Sequence, residues 1–139
     1  MSGPDVLPAA RILVVEDSPT QAEELRHILE QEGFAVSLAR DGAAALELLR
    51  EVRPALVISD IVMPRMDGFA LCGRIKSAED TKGIPVILLT ALSDPEDVLR
   101  GLECGADGFL TKPCDERYLL AQVRHVLTNV ELRAGGQGE

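Results

Sequence analysis

The stretch that decides the fold is Ala55-Leu56-Val57-Ile58-Ser59-Asp60-Ile61-Val62-Met63-Pro64. It begins with an unbroken apolar run of the kind found in strands buried on both faces, which occur in parallel sheets covered by helices. In such sheets ligands bind beyond the carboxyl ends of the strands. Asp60 is therefore predicted to lie at the ligand-binding edge of the sheet. On this stretch alone, an Asp60 that only starts the next turn is an equally good interpretation.

Similar apolar runs recur along the chain and alternate with segments of helical periodicity. The predicted strands start at Arg11, Phe34, Ala55, Ile84 and Asp107. Their spacing of roughly 21 to 29 residues is the length of one strand plus one helix. The sequence therefore predicts an α/β fold with five parallel strands and five helices. If the strand order is 2-1-3-4-5, strands one and three are neighbours at the point where the connection changes direction.

The expected limits of the folded part come from local start and stop signals. Residues 1–10 are rich in Pro, Gly and Ala and are predicted to be a flexible leader. Ser18-Pro19 is a helix start signal, and Gly33 ends that helix. The last helix is predicted to run to about Leu132, and residues 134–139 are predicted to be a flexible tail. One folded domain is expected between leader and tail.

Composition excludes several classes of function. The net charge of −9 and the aromatic content of 3% argue against direct binding of nucleic acid, which would be repelled and would find few stacking platforms. The three cysteines form no C-x-x-C pair, so neither a metal knuckle nor a disulfide framework is indicated. There is no signal-peptide pattern and no apolar run that would span a membrane. A cytoplasmic protein without membrane attachment is expected.

Polar residues follow four of the five predicted strands. Glu16 and Asp17 come after strand one, Asp60 after strand three, Thr90 after strand four and Lys112 after strand five. The carboxyl ends of parallel strands meet at one edge, so these side chains are predicted to converge. Each could have an ordinary role, such as charge placed to suit a helix dipole. Their joint position at one edge favours a site.

Three converging carboxylates repel one another unless a cation is present, and hard oxygen ligands of this kind suit Mg²⁺. Lys112 adds a positive charge and Thr90 a hydroxyl where a phosphoryl group on Asp60 would lie. Carboxylates can act as nucleophiles towards phosphorus, and phosphoryl transfer depends mainly on positioning and charge neutralisation. The chemistry indicated is Mg²⁺-dependent phosphoryl transfer to Asp60.

These residues belong to motifs of a known family. They are Val-Val-Glu16-Asp17, Asp60-Ile-Val-Met-Pro64-x-Met-Asp67-Gly68, Leu-Leu-Thr90-Ala91 and Gly105-Ala106-Asp107-Gly108-Phe109-Leu-Thr-Lys112-Pro113. The chain resembles the receiver domain of two-component response regulators from Arg11 to about Val130. The resemblance implies a flavodoxin-like fold over residues 11–133. One departure is Cys114, where many members carry Phe, and a packing variant is expected there.

The resemblance also implies roles for individual residues. Asp60 would accept a phosphoryl group from a histidine kinase or a histidine phosphotransfer protein. Glu16, Asp17, Asp60 and the backbone carbonyl of Val62 would bind Mg²⁺. Thr90 and Lys112 would hold phosphoryl oxygens, and Thr90 with Phe109 would form the conformational switch. No enzymatic activity is implied beyond the protein's own phosphorylation and dephosphorylation.

Other functions stay open at this point. A phosphatase of the haloacid-dehalogenase type would carry a second acid at position 62, where this chain has Val62. A nucleotide-binding domain would carry a glycine-rich first turn, and the sequence there is Glu-Asp-Ser-Pro. A protein-interaction module without phosphorylation, or a receiver fragment of a hybrid histidine kinase, are further alternatives. The apolar stripe of the last helix reaches Val130 and Leu132, which would allow contact with a downstream protein or a homodimer.

Overall fold

The computed structural model describes residues 10–91, 95–113 and 115–137, with only the backbone described from residue 130 onwards. Strands and helices alternate along the whole of this part. The elements are β1 (Arg11–Val15), α1 (Pro19–Gln31), β2 (Ala35–Ala39), α2 (Gly42–Val52), β3 (Leu56–Asp60), α3 (Gly68–Ser77), β4 (Val86–Thr90), α4 (Pro95–Glu103), β5 (Gly108–Thr111) and α5 (Glu116–Gln137). The predicted fold of five strands and five helices is confirmed.

The five strands form one parallel sheet in the order β2-β1-β3-β4-β5, as predicted. Its register brings the strand ends together. Val15 pairs with Ser59 in β3, so Glu16 follows directly beside the end of that strand. Thr90 pairs with Thr111 in β5, which places Lys112 one residue beyond the same edge. The polar residues predicted to converge therefore start from adjacent positions of the sheet.

The hydrophobic core has two halves, one on each face of the sheet. Because successive side chains of a strand point to opposite faces, Leu13 and Val15 pack in one half with α2 and α3. Ile12 and Val14 pack in the other half with α1 and α5. Every residue of β3 is buried, including Ser59 and Asp60. This burial on both faces explains the unbroken apolar run that marks the strand in the sequence.

Side-chain caps set the starts of three helices near the carboxyl edge. Ser18 accepts a hydrogen bond from the backbone N–H of Gln21, which confirms the predicted start of α1. Asp41 caps α2 through the N–H of Ala44, at 2.8 Å. Asp67 caps α3 in the same way. The loops between strand ends and helices are thus held close to the edge of the sheet.

Some predicted element ends are wrong by a few residues. Strand four was predicted from Ile84, but β4 begins at Val86, because Pro85 has no N–H to donate to the ladder. The last helix was predicted to end near Leu132, but α5 continues to Gln137. Each residue added to a helix gains a hydrogen bond at little further nucleation cost, so the helix extends past its apolar stripe.

Parts of four predictions fall on undescribed residues. Residues 1–9 of the predicted leader lie outside the described part, while the carbonyl of Ala10 already accepts a hydrogen bond from Ala35. The same holds for Cys114, for the side chains of Val130 and Leu132, and for the last two residues of the predicted tail. Of the described cysteines, Cys72 and Cys104 are free thiols. Among the described helices, none is long and apolar enough to cross a membrane.

Gly68 offers a test of how tightly the chain packs beneath the predicted site. A Cβ on Gly68 would lie 2.4 Å from the carbonyl oxygen of Asp60, and this backbone cannot easily move. We expect Gly68→Ala to lower the free energy of unfolding by about 2 to 3 kcal/mol. Gly73, in the same helix, has no atom within 4 Å of such a Cβ. Gly73→Ala should instead stabilise the protein by about 0.5 to 1 kcal/mol. Urea unfolding measures both; equal effects would contradict the packing argument.

Candidate functional site

Three carboxylates meet at the carboxyl edge of the sheet. One oxygen from each of Glu16, Asp17 and Asp60 lies within 4.8 Å of the others. Glu16 is 3% exposed and Asp60 is 7% exposed, whereas Asp17 is open to solvent. Hard oxygen donors at this separation fit a divalent cation that keeps part of its water shell, as Mg²⁺ does. The donor set therefore fits the metal that the sequence predicted.

Lys112 brings a cation to two of these carboxylates. Its Nζ lies 3.1 Å from Oε1 of Glu16 and 3.1 Å from Oδ2 of Asp60. It also donates a hydrogen bond of 2.7 Å to Oε1 of Gln21 in α1. One ammonium thus links residues that follow β1, β3 and β5.

For Glu16 and for Lys112, burial shifts the pKa in one direction, and the contact between these two residues shifts it in the other. Burial raises the pKa of Glu16 above its ordinary value, and the charge of Asp60 raises it further. Hydrogen bonds from the N–H of Ser18 and from Lys112 lower it again without cancelling the effect. Burial also acts to lower the pKa of Lys112, but hydrogen bonds to Asp60 and Glu16 outweigh it, and that pKa is raised. The carboxylates and the ammonium stabilise each other's charged forms.

Asp60 does not have the capping role that was its alternative interpretation. The N-cap of α3 is Asp67, whose Oδ1 accepts the N–H of Ala70 at 2.8 Å. The carboxylate of Asp60 instead pairs with Lys112. Its backbone carbonyl lies against Gly68. Asp60 is therefore placed as a member of the site.

The remaining predicted site residues lie at different depths. Thr90 ends β4 and is 4% exposed. Val62 follows β3 and has a side chain that is 66% exposed. Phe109, in β5 opposite Leu88, is half-buried against the core half that includes α3. The structure thus brings together Glu16, Asp17, Asp60 and Lys112, with Thr90 at the end of the adjacent strand.

Two residues that the sequence did not single out each contact one of the predicted site residues. One is Gln21, through its hydrogen bond to Lys112. The other is Gly101 in α4: a Cβ there would lie 1.8 Å from Cζ of Phe109, so the aromatic ring occupies the space that the glycine leaves. For Gln21 a signal existed, because it lies in the first turn of a helix that starts at the carboxyl edge. For Gly101 none did, since its contact depends on the approach of α4 to β5.

Removal of the Lys112 ammonium should destabilise the protein, because the buried carboxylates of Glu16 and Asp60 would lose their cation. In Lys112→Met the pKa of Glu16 in the folded protein should rise further above its value in the unfolded chain. The free energy of unfolding should then fall as the pH rises through this folded pKa, because the folded state binds the proton more tightly than the unfolded state. We expect the variant to lose roughly 2 to 4 kcal/mol of unfolding free energy at pH 7.5 without divalent cations, and clearly less near pH 5. Urea unfolding at both values measures the difference.

Lys82→Met is the matched control, because Lys82 pairs only with Glu79 at the surface among the contacts described for it and is 55% exposed. Its loss should be small and independent of pH. A loss in Lys112→Met that is the same at pH 5 and pH 7.5 would contradict the charge argument.

Comparison with known proteins supports a family assignment. Residues 12–124 match the family described as response regulator receiver domain. The chain is 45% identical over 114 residues to the DNA-binding response regulator MtrA of Mycolicibacterium smegmatis, covering 82% of this chain and 49% of that protein. It is 44% identical over 116 residues to the response regulator PleD of Caulobacter vibrioides, covering 84% of this chain and 26% of that protein. The chain thus spans half or less of the length of these relatives.

Solved structures show the same fold. The signal receiver domain of a signal transduction histidine kinase from Syntrophus aciditrophicus is 55% identical, with a TM-score of 0.82 over 88% of this chain and 92% of that one. The chemotaxis protein CheY4 of Vibrio cholerae is 33% identical, with a TM-score of 0.81 over 85% of this chain and 98% of that one. With the matched residues spanning most of the sequence, the chain belongs to the response regulator receiver domain family, the phosphoryl-accepting switches of two-component signalling.

Proposed function

We propose that Asp60 is the residue that accepts the phosphoryl group, and that the donor is the phosphohistidine of a histidine kinase or a histidine phosphotransfer protein. The observation that carries this proposal is the Lys112 ammonium, which lies 3.1 Å from both Asp60 and Glu16. A carboxylate at a strand end beside a fixed cation can attack phosphorus while the new negative charge is neutralised.

The transfer needs few groups beyond these. An oxygen of Asp60 forms a bond to phosphorus while the bond from phosphorus to the donor's imidazole nitrogen breaks, and that nitrogen leaves with the electron pair. Lys112 donates to a phosphoryl oxygen, and the hydroxyl of Thr90 is proposed to donate to another. Because Asp60 is 7% exposed, little water competes for the reacting group.

The metal site is part of the same proposal. Glu16, Asp17, Asp60 and the backbone carbonyl of Val62 would hold Mg²⁺, and three carboxylate oxygens within 4.8 Å support this donor set. When bound, the cation supplies charge neutralisation at the transferred phosphoryl group. Glu16 and Asp17, which follow β1, would orient it beside Asp60, which ends β3.

The phosphoacceptor role is tested by mass spectrometry of the intact protein after incubation with acetyl phosphate. We expect the wild type to gain one phosphoryl group in Mg²⁺ and none in excess chelator. Asp60→Asn should gain none, because the amide is not a nucleophile of comparable strength. Asp80→Asn, a change of an exposed aspartate outside the site, should behave as wild type. Uptake by Asp60→Asn equal to that of wild type would show that another residue is modified.

Phe109 and Thr90 are proposed as the switch that reports phosphorylation. A phosphoryl group can shift a conformational equilibrium only through contacts that differ between the states, and Thr90 is the hydroxyl placed to make one. Phe109 packs in the space beside Gly101, so a movement of its ring would change the position of α4 relative to β5. Phosphorylation would thereby alter the surface formed by α4 and β5.

The switch is tested with beryllofluoride, which mimics the phosphoryl group, and NMR. In the wild type we expect shifts beyond the cleft, at Phe109 and along α4. In Thr90→Ala the shifts should remain within the cleft, because the hydroxyl that couples the two is absent. Thr128→Ala, an exposed change on α5, is the control. Shifts that spread equally far in Thr90→Ala would refute the coupling.

Other properties follow from charge and fold. The net charge of −9 supports the proposal that this chain contacts proteins and does not bind nucleic acid directly. The description DNA-binding applies to the relative MtrA, which is about twice as long as the matched part. A cytoplasmic location without membrane attachment is proposed because the sequence shows no signal-peptide pattern and no apolar run that would span a membrane. A downstream protein or a second copy of the chain would bind the surface formed by α4 and β5 after phosphorylation alters it. Catalysis is proposed to be limited to the protein's own phosphorylation and dephosphorylation.

A further inference from the structure

Gln21 makes the shortest contact described for the ammonium of Lys112. It lies in the first turn of α1, and its Oε1 accepts a hydrogen bond of 2.7 Å from Nζ of Lys112. The distances from the same Nζ to Glu16 and to Asp60 are both 3.1 Å. An ammonium has three donors, and these three acceptors match them. The lysine head is thus held from three elements of the fold.

The three acceptors differ in whether they have another role during the proposed phosphoryl transfer. The carboxylates of Glu16 and Asp60 belong to the acidic cluster proposed to hold the cation, and Asp60 also receives the phosphoryl group. Gln21 has neither task. It is also neutral, so it orients the ammonium without neutralising its charge and without adding to the repulsion among the acids. Its contact with Lys112 is the one that need not change during the reaction.

Packing on this side of the lysine leaves space. Gln21 and Lys112 line a cavity of about 530 Å³ together with Glu24 and with apolar residues that include Leu89 and Leu119. The apolar side chains offer the ammonium no acceptor, and the contacts described for Nζ of Lys112 include Gln21 but not Glu24. An open cavity also does not fix the lysine stem by contact. The hydrogen bond to Gln21 is therefore the restraint that this wall of the cavity supplies.

We propose that Gln21 is a positioning residue for phosphoryl transfer, which holds the Lys112 ammonium in line with Asp60 while the carboxylates engage the other groups. The proposal rests on the proposed function of Asp60 as phosphoacceptor. An ammonium without this neutral anchor spends part of its time in the cavity, away from the phosphoryl oxygen, and the rate falls in proportion. Binding of the donor is not affected, because Gln21 acts through Lys112.

The test uses two substitutions at Gln21 and one control. Gln21→Met keeps the length of the side chain and removes the acceptor oxygen, whereas Gln21→Glu keeps an acceptor oxygen. Gln31→Met makes the same chemical change at the exposed end of the same helix. Two quantities are measured: the phosphorylation rate as a function of acetyl phosphate concentration, and the exchange of the Lys112 ammonium protons with water by NMR without donor.

We expect Gln21→Met to lower the maximal rate roughly 3- to 10-fold with little change in the half-saturating donor concentration, as the loss of one charge-assisted hydrogen bond implies. Its Lys112 ammonium protons should exchange faster than in wild type. Gln21→Glu should keep the slow exchange and recover most of the maximal rate, with a higher half-saturating concentration because the added charge repels the anionic donor. Gln31→Met should match wild type.

Two results would overturn the proposal: exchange and rate in Gln21→Met equal to those of Gln31→Met, or equal losses in Gln21→Met and Gln21→Glu, which would indicate a change in helix packing. Failure of the proposed function is seen separately, as absence of uptake at Asp60 in the wild type. In that case ammonium exchange still decides the anchoring, because it is measured without donor. Faster exchange in Gln21→Met alone supports Gln21 as the anchor, and unchanged exchange excludes it.

Discussion

The ion pairs of Lys112 with Glu16 and Asp60 are the interaction on which the rest of the site depends. Two carboxylates with almost no exposure to solvent would be costly to place side by side without a cation. The cation comes from the end of β5, at the far side of the sheet order from β1. Partial neutralisation of the two buried carboxylates therefore requires that β1, β3, β4 and β5 be assembled in their native order. The same contacts that could support phosphoryl transfer help to specify the arrangement of the strands.

The surroundings of the site are built around small residues that allow close approach. Gly68 lies against the carbonyl of Asp60, so α3 begins in close contact with the backbone at the end of β3. Gly101 leaves the space that the ring of Phe109 fills. On α3, Phe69 packs under the guanidinium of Arg100, 4.3 Å from the ring centroid, which ties α4 to α3. A displacement of Phe109 would therefore disturb its contact with α4, which is itself in contact with α3, and the switch proposed for Thr90 and Phe109 would act through these contacts.

The sequence predicted those features that depend on short-range patterns. Apolar runs, cap residues and the position of acids after strands were enough for five strand-helix units with polar residues at one edge of the sheet. The strand order, and with it the placement of Asp60 beside Glu16, was only a condition until the family resemblance implied a flavodoxin-like fold. Gln21 was missed because a glutamine in a helix has many ordinary roles, and its partner is distant in sequence. The contact of Gly101 with Phe109 depends on how α4 approaches β5, which no local pattern encodes. The end of the last helix was also predicted poorly, since α5 continues beyond the apolar stripe that marks it.

Charge sets a condition on how a donor reaches Asp60. Three carboxylates and one ammonium leave the cleft with an excess of negative charge that the proposed Mg²⁺ would balance, but the chain as a whole carries −9. A phosphorylated partner is itself anionic at its reacting group, so long-range attraction cannot drive the encounter. Short-range contacts around the cleft must then supply the binding energy, and Val62, two residues after Asp60 and 66% exposed, offers an apolar one. A partner side chain on Val62 would also exclude water from the cleft, and this would strengthen the proposed interaction of Lys112 with the transferred phosphoryl group.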